Sequence, residues 1–164
     1  MLNRPPDLTR IVEIEDTVVD KATRFESAKV RHLYDWWASA NGGQMPRRRQ
    51  FDILGHRPII ANLFLTEVLP DGNFQFRLLG EEVIQIIGRN RTGETVRQAA
   101  DGEYGHELYN YYHSVVMGRV CRRCTGALFF AREGARRFES IDCPLAADDG
   151  AQVSVIIGVM DVVR

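Results

Sequence analysis

The spacing of apolar residues divides the chain into predicted strands, where every second residue is apolar, and predicted helices, where apolar residues recur every three to four positions. Residues 11–19 (IVEIEDTVV) alternate apolar and polar positions, which predicts a short strand or an interaction arm. Residues 22–41 repeat apolar positions at helical spacing, and Gly42 and Gly43 follow as glycines that commonly end helices. The apolar stripe of this predicted helix consists of Val30, Leu33, Trp37 and Ala40, widened by Tyr34 and Trp36.

A β-hairpin is predicted next, at about 62–69 and 73–79, because two apolar runs flank the turn Pro70-Asp71-Gly72-Asn73. Simple alternation in its second strand assigns its residues to two faces: Phe74, Phe76 and Leu78 to one, and Gln75, Arg77 and Leu79 to the other. Gly80 ends that strand. A short helix follows, with Val83, Ile84 and Ile87 on one face and Gly88 at its end. Gly93 then suits a positive φ in a polar loop.

The second half of the chain predicts one longer helix at 102–118 and a three-stranded meander. The helix has a stripe of Leu108, Tyr112 and Val115 or Val116. The strands cover 119–131, 136–146 and 152–163, with turns at 132–135 and 147–150. This order fits an α+β fold in which a five-stranded antiparallel sheet has helices over one face and an N-terminal helix extension. We divide the chain into an N-terminal arm (1–21), an N-terminal helix (22–43) and a main domain (44–164).

The last predicted strand is apolar on both faces, which a sheet with one wet face would not show. A second layer must therefore cover the sheet. The tryptophan-containing helix at 22–41 is the expected cover, and a second copy of the chain is the alternative.

Composition and charge argue against several classes of protein but do not indicate a specific function. The chain has 164 residues, 45% of them hydrophobic, with a formal net charge of −1. Near-neutral charge argues against a nucleic-acid partner, and no apolar run approaches the about 20 residues that span a bilayer. The first ten residues are polar and contain two prolines, unlike a signal peptide. Three cysteines do not make a disulfide framework, so we expect a cytoplasmic protein with no membrane association.

Several short motifs accompany this order of elements. They are Trp36-Trp37, Pro46-Arg47-Arg48, FQFRLLG at 74–80, GRNRTG at 88–93, and FESIDCPLAADDG at 138–150. Together, over roughly residues 25 to 163, they resemble the short, stand-alone bacterial PAS-like proteins of alphaproteobacterial type. The last motif has one residue more before its final Asp-Gly than the tightest form of that pattern. The resemblance implies a sensory or protein-interaction domain, and it supplies no ligand.

The resemblance also implies a pocket between the middle helices and the sheet. Candidate lining residues are Phe64, Phe76, Ile84, Ile87, Tyr112, Val116, Phe129 and Ile157. With no output domain on the chain, a signal is expected to pass by contact, through a homodimer or a regulatory protein partner. The candidate interface residues are Leu33, Trp36 and Trp37, because apolar and aromatic side chains there otherwise lack cover.

The sequence argues against two cofactors, flavin and haem. GRNRTG lies where blue-light flavin PAS domains carry G-R-N-C-R-F-L-Q, and Arg91 replaces the reactive cysteine, which excludes flavin–thiol photochemistry at that position. Haem would need a histidine facing an apolar pocket, and His106 or His113 is more simply a surface histidine. No metal-ligand spacing is present, so no metal is expected.

The cysteines do not indicate a redox motif. Cys121 and Cys124 form a CxxC on a predicted strand, where residues three apart point to opposite faces. A turn at 132–135 would place Cys124 opposite Cys143, and that contact stays open as a redox alternative to three simply buried residues. The basic segment Arg47-Arg48-Arg49 is read as a solvated loop, with phosphate or acidic-partner binding as the alternative.

The sequence thus favours a sensory or regulatory domain that binds an unidentified small molecule and signals through protein contact. The alternative is a ligand-free interaction module whose would-be pocket is filled by its own large side chains. No P-loop, dinucleotide fingerprint or nucleophile elbow is present, so the chain is not expected to be an enzyme.

Overall fold

The computed structural model describes residues 10–98, 103–130 and 134–164, so the first nine residues of the predicted arm and the first half of the predicted turn at 132–135 lie outside it. The described strands are β1 Arg10–Val18, β2 Leu63–Val68, β3 Phe74–Leu79, β4 Thr95–Val96, β5 Arg122–Phe130, β6 Gly134–Ala146 and β7 Val153–Val163. The helices are α1 Ala28–Ser39, α2 Glu81–Ile87 and α3 Glu103–Gly118, and two 3-10 segments lie at Arg48–Gln50 and Ile53–Asn62.

The strands form one antiparallel sheet. Over the described residues its order is β1-β5-β6-β7-β2-β3-β4. The predicted hairpin and the predicted meander meet where β2 pairs with β7, with Phe64 opposite Gly158. The predicted five strands become seven in the described chain, because β1 pairs with β5 at one edge and the two-residue β4 pairs with β3 at the other. The alternating pattern at 11–19 predicted either a strand or an interaction arm and did not decide between them. Strand β4 has two residues, too few to show an alternating pattern.

Each face of the sheet is covered by helical elements, whereas the sequence predicted helices over one face. We call the face under α2 and α3 the front face, and the face under α1 the back face. On the back face, the fully buried Val30 and Leu33 of α1 pack in one cluster with Ile141 and Ile157. Helix α1 therefore covers the second face of the sheet, as the sequence predicted.

Helix α1 begins six residues later than the sequence pattern indicates. Ser27 stops it there, because its extended backbone and its hydroxyl oxygen, which accepts hydrogen bonds from the Lys29 and Val30 N–H groups, form an N-cap. The Ser27 hydroxyl also donates to Asp161 Oδ2 at 2.7 Å. The helix start is thus fixed by contacts with a distant strand.

Strand β3 contains an irregularity that simple alternation cannot predict. Leu65 pairs with Leu78 but Thr66 pairs with Phe76, so β3 carries one extra residue at this point. The extra residue reverses the side-chain alternation. Leu78, predicted on the face of Phe74 and Phe76, packs against the back-face cluster, and Leu79 packs on the front face instead.

The corner between β3 and α2 requires glycine for a steric reason. Gly80 has an ordinary φ of −64°, but a Cβ there would overlap the backbone carbonyl of Ala61. Its N–H donates to the Leu63 carbonyl at 2.7 Å, which holds the two segments in contact. Gly88 and Gly93 differ, because each has a φ of +89° that disfavours other residues.

We expect Gly80→Ala to lower the free energy of unfolding by about 2 to 3 kcal/mol, since the new methyl group has no room beside Ala61. Chemical denaturation measures the change. Gly55→Ala is the matched control, because a Cβ at Gly55 meets open space and we expect no loss of stability there. Equal stability of the two variants would contradict the close approach at Gly80.

The described helices give no candidate for a membrane span. None of them is both long enough and apolar enough to cross a bilayer.

Candidate functional site

A cavity of about 360 Å³ lies on the front face, between the sheet and helices α2 and α3. Its walls are mostly apolar and aromatic, and the buried residues among them come from β2, β3, β5, β6 and β7 and from helices α2 and α3. Ile14, Asp16 and Glu107 are exposed lining residues and mark the side that faces solvent. The lining consists of Ile14, Asp16, Phe64, Phe76, Leu79, Val83, Ile87, Arg91, Glu107, Leu108, Tyr111, Tyr112, Cys124, Phe138, Ser140, Asp142 and Met160.

Half of the predicted pocket residues meet on this wall. Phe64, Phe76, Ile87 and Tyr112 all line the cavity. Ile84 and Val116 are half-buried and lie outside the lining, although Val116 packs against the neighbouring front-face cluster. The side chain of Phe129 falls outside the described residues.

Ile157 lies on the opposite side of the sheet from the cavity. It is fully buried in the back-face cluster with Val30 and Leu33 of α1. Strand β7 is apolar on both faces, so its sequence does not show which of its two alternating sets of side chains faces the pocket. The pairing of Phe64 with Gly158 decides it, because the Phe64 ring occupies the space where a side chain at Gly158 would stand.

The predicted interface residues turn out to have partners within their own chain. Leu33 is fully buried in the back-face cluster and is not available to a second protein. Trp37 Nε1 donates to the Pro144 carbonyl at 2.8 Å, and the Trp36 ring packs edge-on against Phe51 at 5.0 Å between centroids. Both tryptophans are half-buried, so each keeps only part of its surface exposed.

A polar cluster is set into the otherwise apolar wall. Asp142 of β6 is almost completely buried, and the Tyr111 hydroxyl of α3 donates to its Oδ2 at 2.5 Å. Its other oxygen, Oδ1, is buried and has no hydrogen-bond partner among the described residues. Cys124 of β5 and Ser140 of β6 lie beside this carboxyl group on the cavity wall.

Burial changes the acid–base properties of this cluster. It raises the pKa of Asp142 to about 7, against the opposing effect of the Tyr111 hydrogen bond. Burial, and then the adjacent Asp142, raise the pKa of Cys124 to about 12 and that of Tyr111 well above its usual value. Cys124 and Tyr111 therefore keep their protons near neutral pH, whereas Asp142 changes its charge there.

The sequence analysis missed this polar cluster, although one signal for it was present. Phe138, Ser140 and Asp142 alternate along β6 and so share the front face. A charged residue within a strand whose neighbours are all buried is unusual unless it has a partner or a role. The partner, Tyr111, lies 31 positions earlier on a helix, and sequence spacing does not bring the two together.

Comparison with known proteins agrees with this architecture. The sequence matches the family described as PAS domain over residues 25–161, which is most of the chain. The chain belongs to the PAS domain family. No curated protein matches the sequence. Among solved structures, the PAS domain is similar to a structure titled "Structure of an RNA-binding Light-Oxygen-Voltage Receptor", with a TM-score of 0.50 and 16% sequence identity.

The similarity to that receptor concerns the fold. It covers 92% of this chain and 38% of the receptor chain, so this PAS domain spans well under half of that protein's length. At 16% identity the shared architecture does not carry over the receptor's RNA binding or its light response.

The cavity lining does not match the chemistry of a photoactive flavin site. Arg91 lies on the wall of the PAS cavity, with its guanidinium carbon 5.0 Å from the centroid of the Phe76 ring. Its Nε also donates to Glu94 Oε2 at 3.2 Å. The residue at the photochemical position is thus a cation rather than a thiol.

The histidines weighed as haem ligands do not line the cavity. His106 and His113 are both exposed on α3, and His113 stacks against Tyr109. Within the described ranges, no group of three or more His, Cys, Asp or Glu residues is arranged to hold a metal ion.

The cysteines lie on opposite faces of the sheet, as the spacing predicts, but the predicted cross-strand pair is wrong. Strands β5 and β6 pair Cys124 with Ser140, three positions away from the expected Cys143. If this register is extended one residue before the start of β5, Cys121 lies opposite Cys143. Both of these cysteines pack in the back-face cluster. All three cysteines are buried and free, and burial raises the pKa of Cys143 well above its usual value.

Proposed function

We propose that this PAS domain is a sensory or regulatory domain that binds a small molecule in the front-face cavity and signals through protein contact. The observation that carries the proposal is the cavity itself. Its volume of about 360 Å³ and its apolar walls with a few convergent polar groups are typical of small-molecule sites.

The alternative is a ligand-free interaction module whose pocket is filled by its own side chains. Large side chains do reach the site, including Phe64, Phe76 and Phe138. Even so, they leave a space that would hold many waters, and Asp142, which lines it, has a buried Oδ1 with no protein partner among the described residues. These two observations favour a ligand site over a filled core.

Thermal shift measurements across a metabolite library test the proposal. A ligand at about 100 times its Kd stabilises the folded state by about 2.7 kcal/mol, which corresponds to about 5 °C or more for a domain of this size. We expect Val83→Phe, which inserts a larger side chain from α2 into the cavity, to abolish the shift. Val18→Phe is the matched control, because Val18 is exposed on β1 and does not line the cavity.

Native mass spectrometry of freshly purified protein gives a second readout, since it reports retained small molecules and the number of subunits together. A ligand-sized mass on the wild type and on Val18→Phe, but not on Val83→Phe, supports the cavity as the site. No stabilising compound and no retained molecule would instead favour the ligand-free module.

We propose that signal output uses a homodimer or a regulatory protein partner. The burial of Leu33 removes it from the proposed interface, which leaves the exposed edges of Trp36 and Trp37. A non-catalytic role in the cytoplasm completes the proposal. Three free cysteines are typical of a reducing compartment, and the PAS family typically serves sensing rather than catalysis.

A further inference from the structure

The charges on the cavity wall point to the chemistry of the ligand. Among the described lining residues, three charged side chains are acidic, namely Asp16, Glu107 and Asp142, and one is basic, Arg91. Arg91 is already engaged by Glu94 and by the face of Phe76. The cavity therefore offers negative charge that its own cation does not neutralise.

Asp142 is the acidic group best placed to contact a bound molecule. Asp16 forms an ion pair with Arg122 at the exposed side of the cavity, and Glu107 is exposed to solvent. Asp142 is 3% exposed and has one oxygen held by Tyr111, while its Oδ1 lacks any partner in the described chain. A buried carboxyl oxygen without a donor carries a free-energy cost that a donor on a ligand would remove.

The aromatic walls add a second preference for positive charge. Rings of β2, β3, β6 and α3 line the cavity, from Phe64, Phe76, Phe138, Tyr111 and Tyr112. The face of an aromatic ring attracts cations, and this attraction grows when water is excluded. An anionic head group would instead face both the ring electrons and the Asp142 carboxyl.

We propose that the cavity binds a small organic cation, whose ammonium group donates a hydrogen bond to the Asp142 carboxyl group and whose apolar body packs against the aromatic walls. This inference rests on the proposed function, since it names the ligand class of the same cavity. It excludes carboxylates and phosphates as head groups and limits the ligand to a compact molecule.

Matched compounds test the head group separately from the body. For phenyl, indolyl and cyclohexyl bodies in turn, an ethylamine, an ethanol and a carboxylate derivative are titrated by calorimetry at pH 8. For at least one body we expect the amine to bind the wild type at least tenfold more tightly than the alcohol, and the carboxylate not to bind. We expect Asp142→Asn to remove the preference for the amine, and Asp148→Asn, at an exposed turn residue, to retain it.

The pH dependence gives an independent readout. The ionisable groups that face Asp142 are the Tyr111 hydroxyl from α3 and the Cys124 thiol from β5, with Asp16 of β1 and Glu107 of α3 farther out on the lining. Tyr111 and Cys124 keep their protons throughout the range used. The amine requires ionised Asp142, so its Kd should be about tenfold weaker at pH 6 than at pH 8, and flat in Asp142→Asn.

The outcomes separate this inference from the proposed function. A carboxylate or alcohol that binds the wild type as tightly as its amine, or an amine preference that survives in Asp142→Asn, overturns the cation assignment. If no amine binds while other library compounds stabilise the wild type and not Val83→Phe, the cation assignment is wrong and the sensory function stands. If nothing binds at all, both are wrong.

Discussion

Glu139→Ala is expected to lower the free energy of unfolding by about 3 to 5 kcal/mol, because it leaves two backbone N–H groups and the half-buried Arg123 guanidinium without their acceptor. Glu139 is fully buried on β6 and lies 2.6 Å from the Arg123 guanidinium. Its carboxylate also accepts hydrogen bonds from the Glu26 and Ser27 N–H groups, at 3.0 and 2.9 Å. Removing it leaves three donors without an acceptor. Urea denaturation measures the loss.

The control for Glu139 is an exposed carboxylate in a comparable ion pair. Glu67 pairs with Arg77 on the surface, where ion pairs contribute about 0 to 1 kcal/mol, so Glu67→Ala should change stability little. Glu139→Gln, which retains an acceptor oxygen, should fall between the two. A loss in Glu139→Ala no larger than in Glu67→Ala would show that the buried carboxylate does not anchor the structure.

The same variant has a spectroscopic signature. Glu139 binds the N–H groups just before α1, and both tryptophans of the protein, Trp36 and Trp37, lie on that helix. Loss of the anchor should loosen α1 from the back face and shift tryptophan emission to longer wavelength before the sheet unfolds. In Glu67→Ala the emission should stay unchanged.

The second large effect is a pH-dependent stabilisation by Asp142→Asn. The pKa of Asp142 rises from 3.8 to about 7 on folding, so between these values the folded chain keeps a proton that the unfolded chain has lost. Wild-type stability therefore falls as pH rises through this window and levels off above about pH 7. Asparagine carries no such penalty. The stability difference between variant and wild type should grow by about 2 to 3 kcal/mol from pH 5 to pH 8.5.

Chemical denaturation of both proteins at several pH values measures this difference. Burial, and next the neighbouring His32, lower the pKa of His56 on the back face, so acidification below its unfolded pKa of 6.5 destabilises the fold. That contribution is common to both proteins and cancels in the comparison. Asp148→Asn, at an exposed turn position, should show no growth with pH. A flat difference for Asp142→Asn would show that the folded carboxyl titrates normally.

Local signals in the sequence were sufficient for most of the elements. The turn residues around Gly72 predicted the first hairpin, and Gly88 and Gly93 were predicted at corners where the backbone has positive φ. The apolar stripe with Val30 and Leu33 predicted a helix, and the two apolar faces of the last strand predicted that this helix or a second copy of the chain covers the sheet. The hairpin, the corners and the helix depend on neighbours in the chain, so short stretches carry their full signal.

Half of the candidate pocket residues could also be placed on the cavity wall from the sequence. Phe64, Phe76, Ile87 and Tyr112 are large apolar or aromatic residues on elements whose place in the fold the motifs indicate. The remaining lining residues depend on how distant elements meet. Asp142 becomes a buried acid beside a cavity because Tyr111 and Cys124 come to it from α3 and β5.

The sequence by itself determined the order of elements, the joining of hairpin and meander in one sheet, and the resemblance to PAS proteins. The tertiary structure alone decided strand register and face. One extra residue in β3 moved Leu78 to the back, a three-residue difference in register separated Cys124 from Cys143, and the Phe64 ring over Gly158 turned Ile157 away from the cavity. Strand alternation repeats every two residues, so it fixes which residues share a face but not which face meets the pocket; packing between distant strands makes that choice.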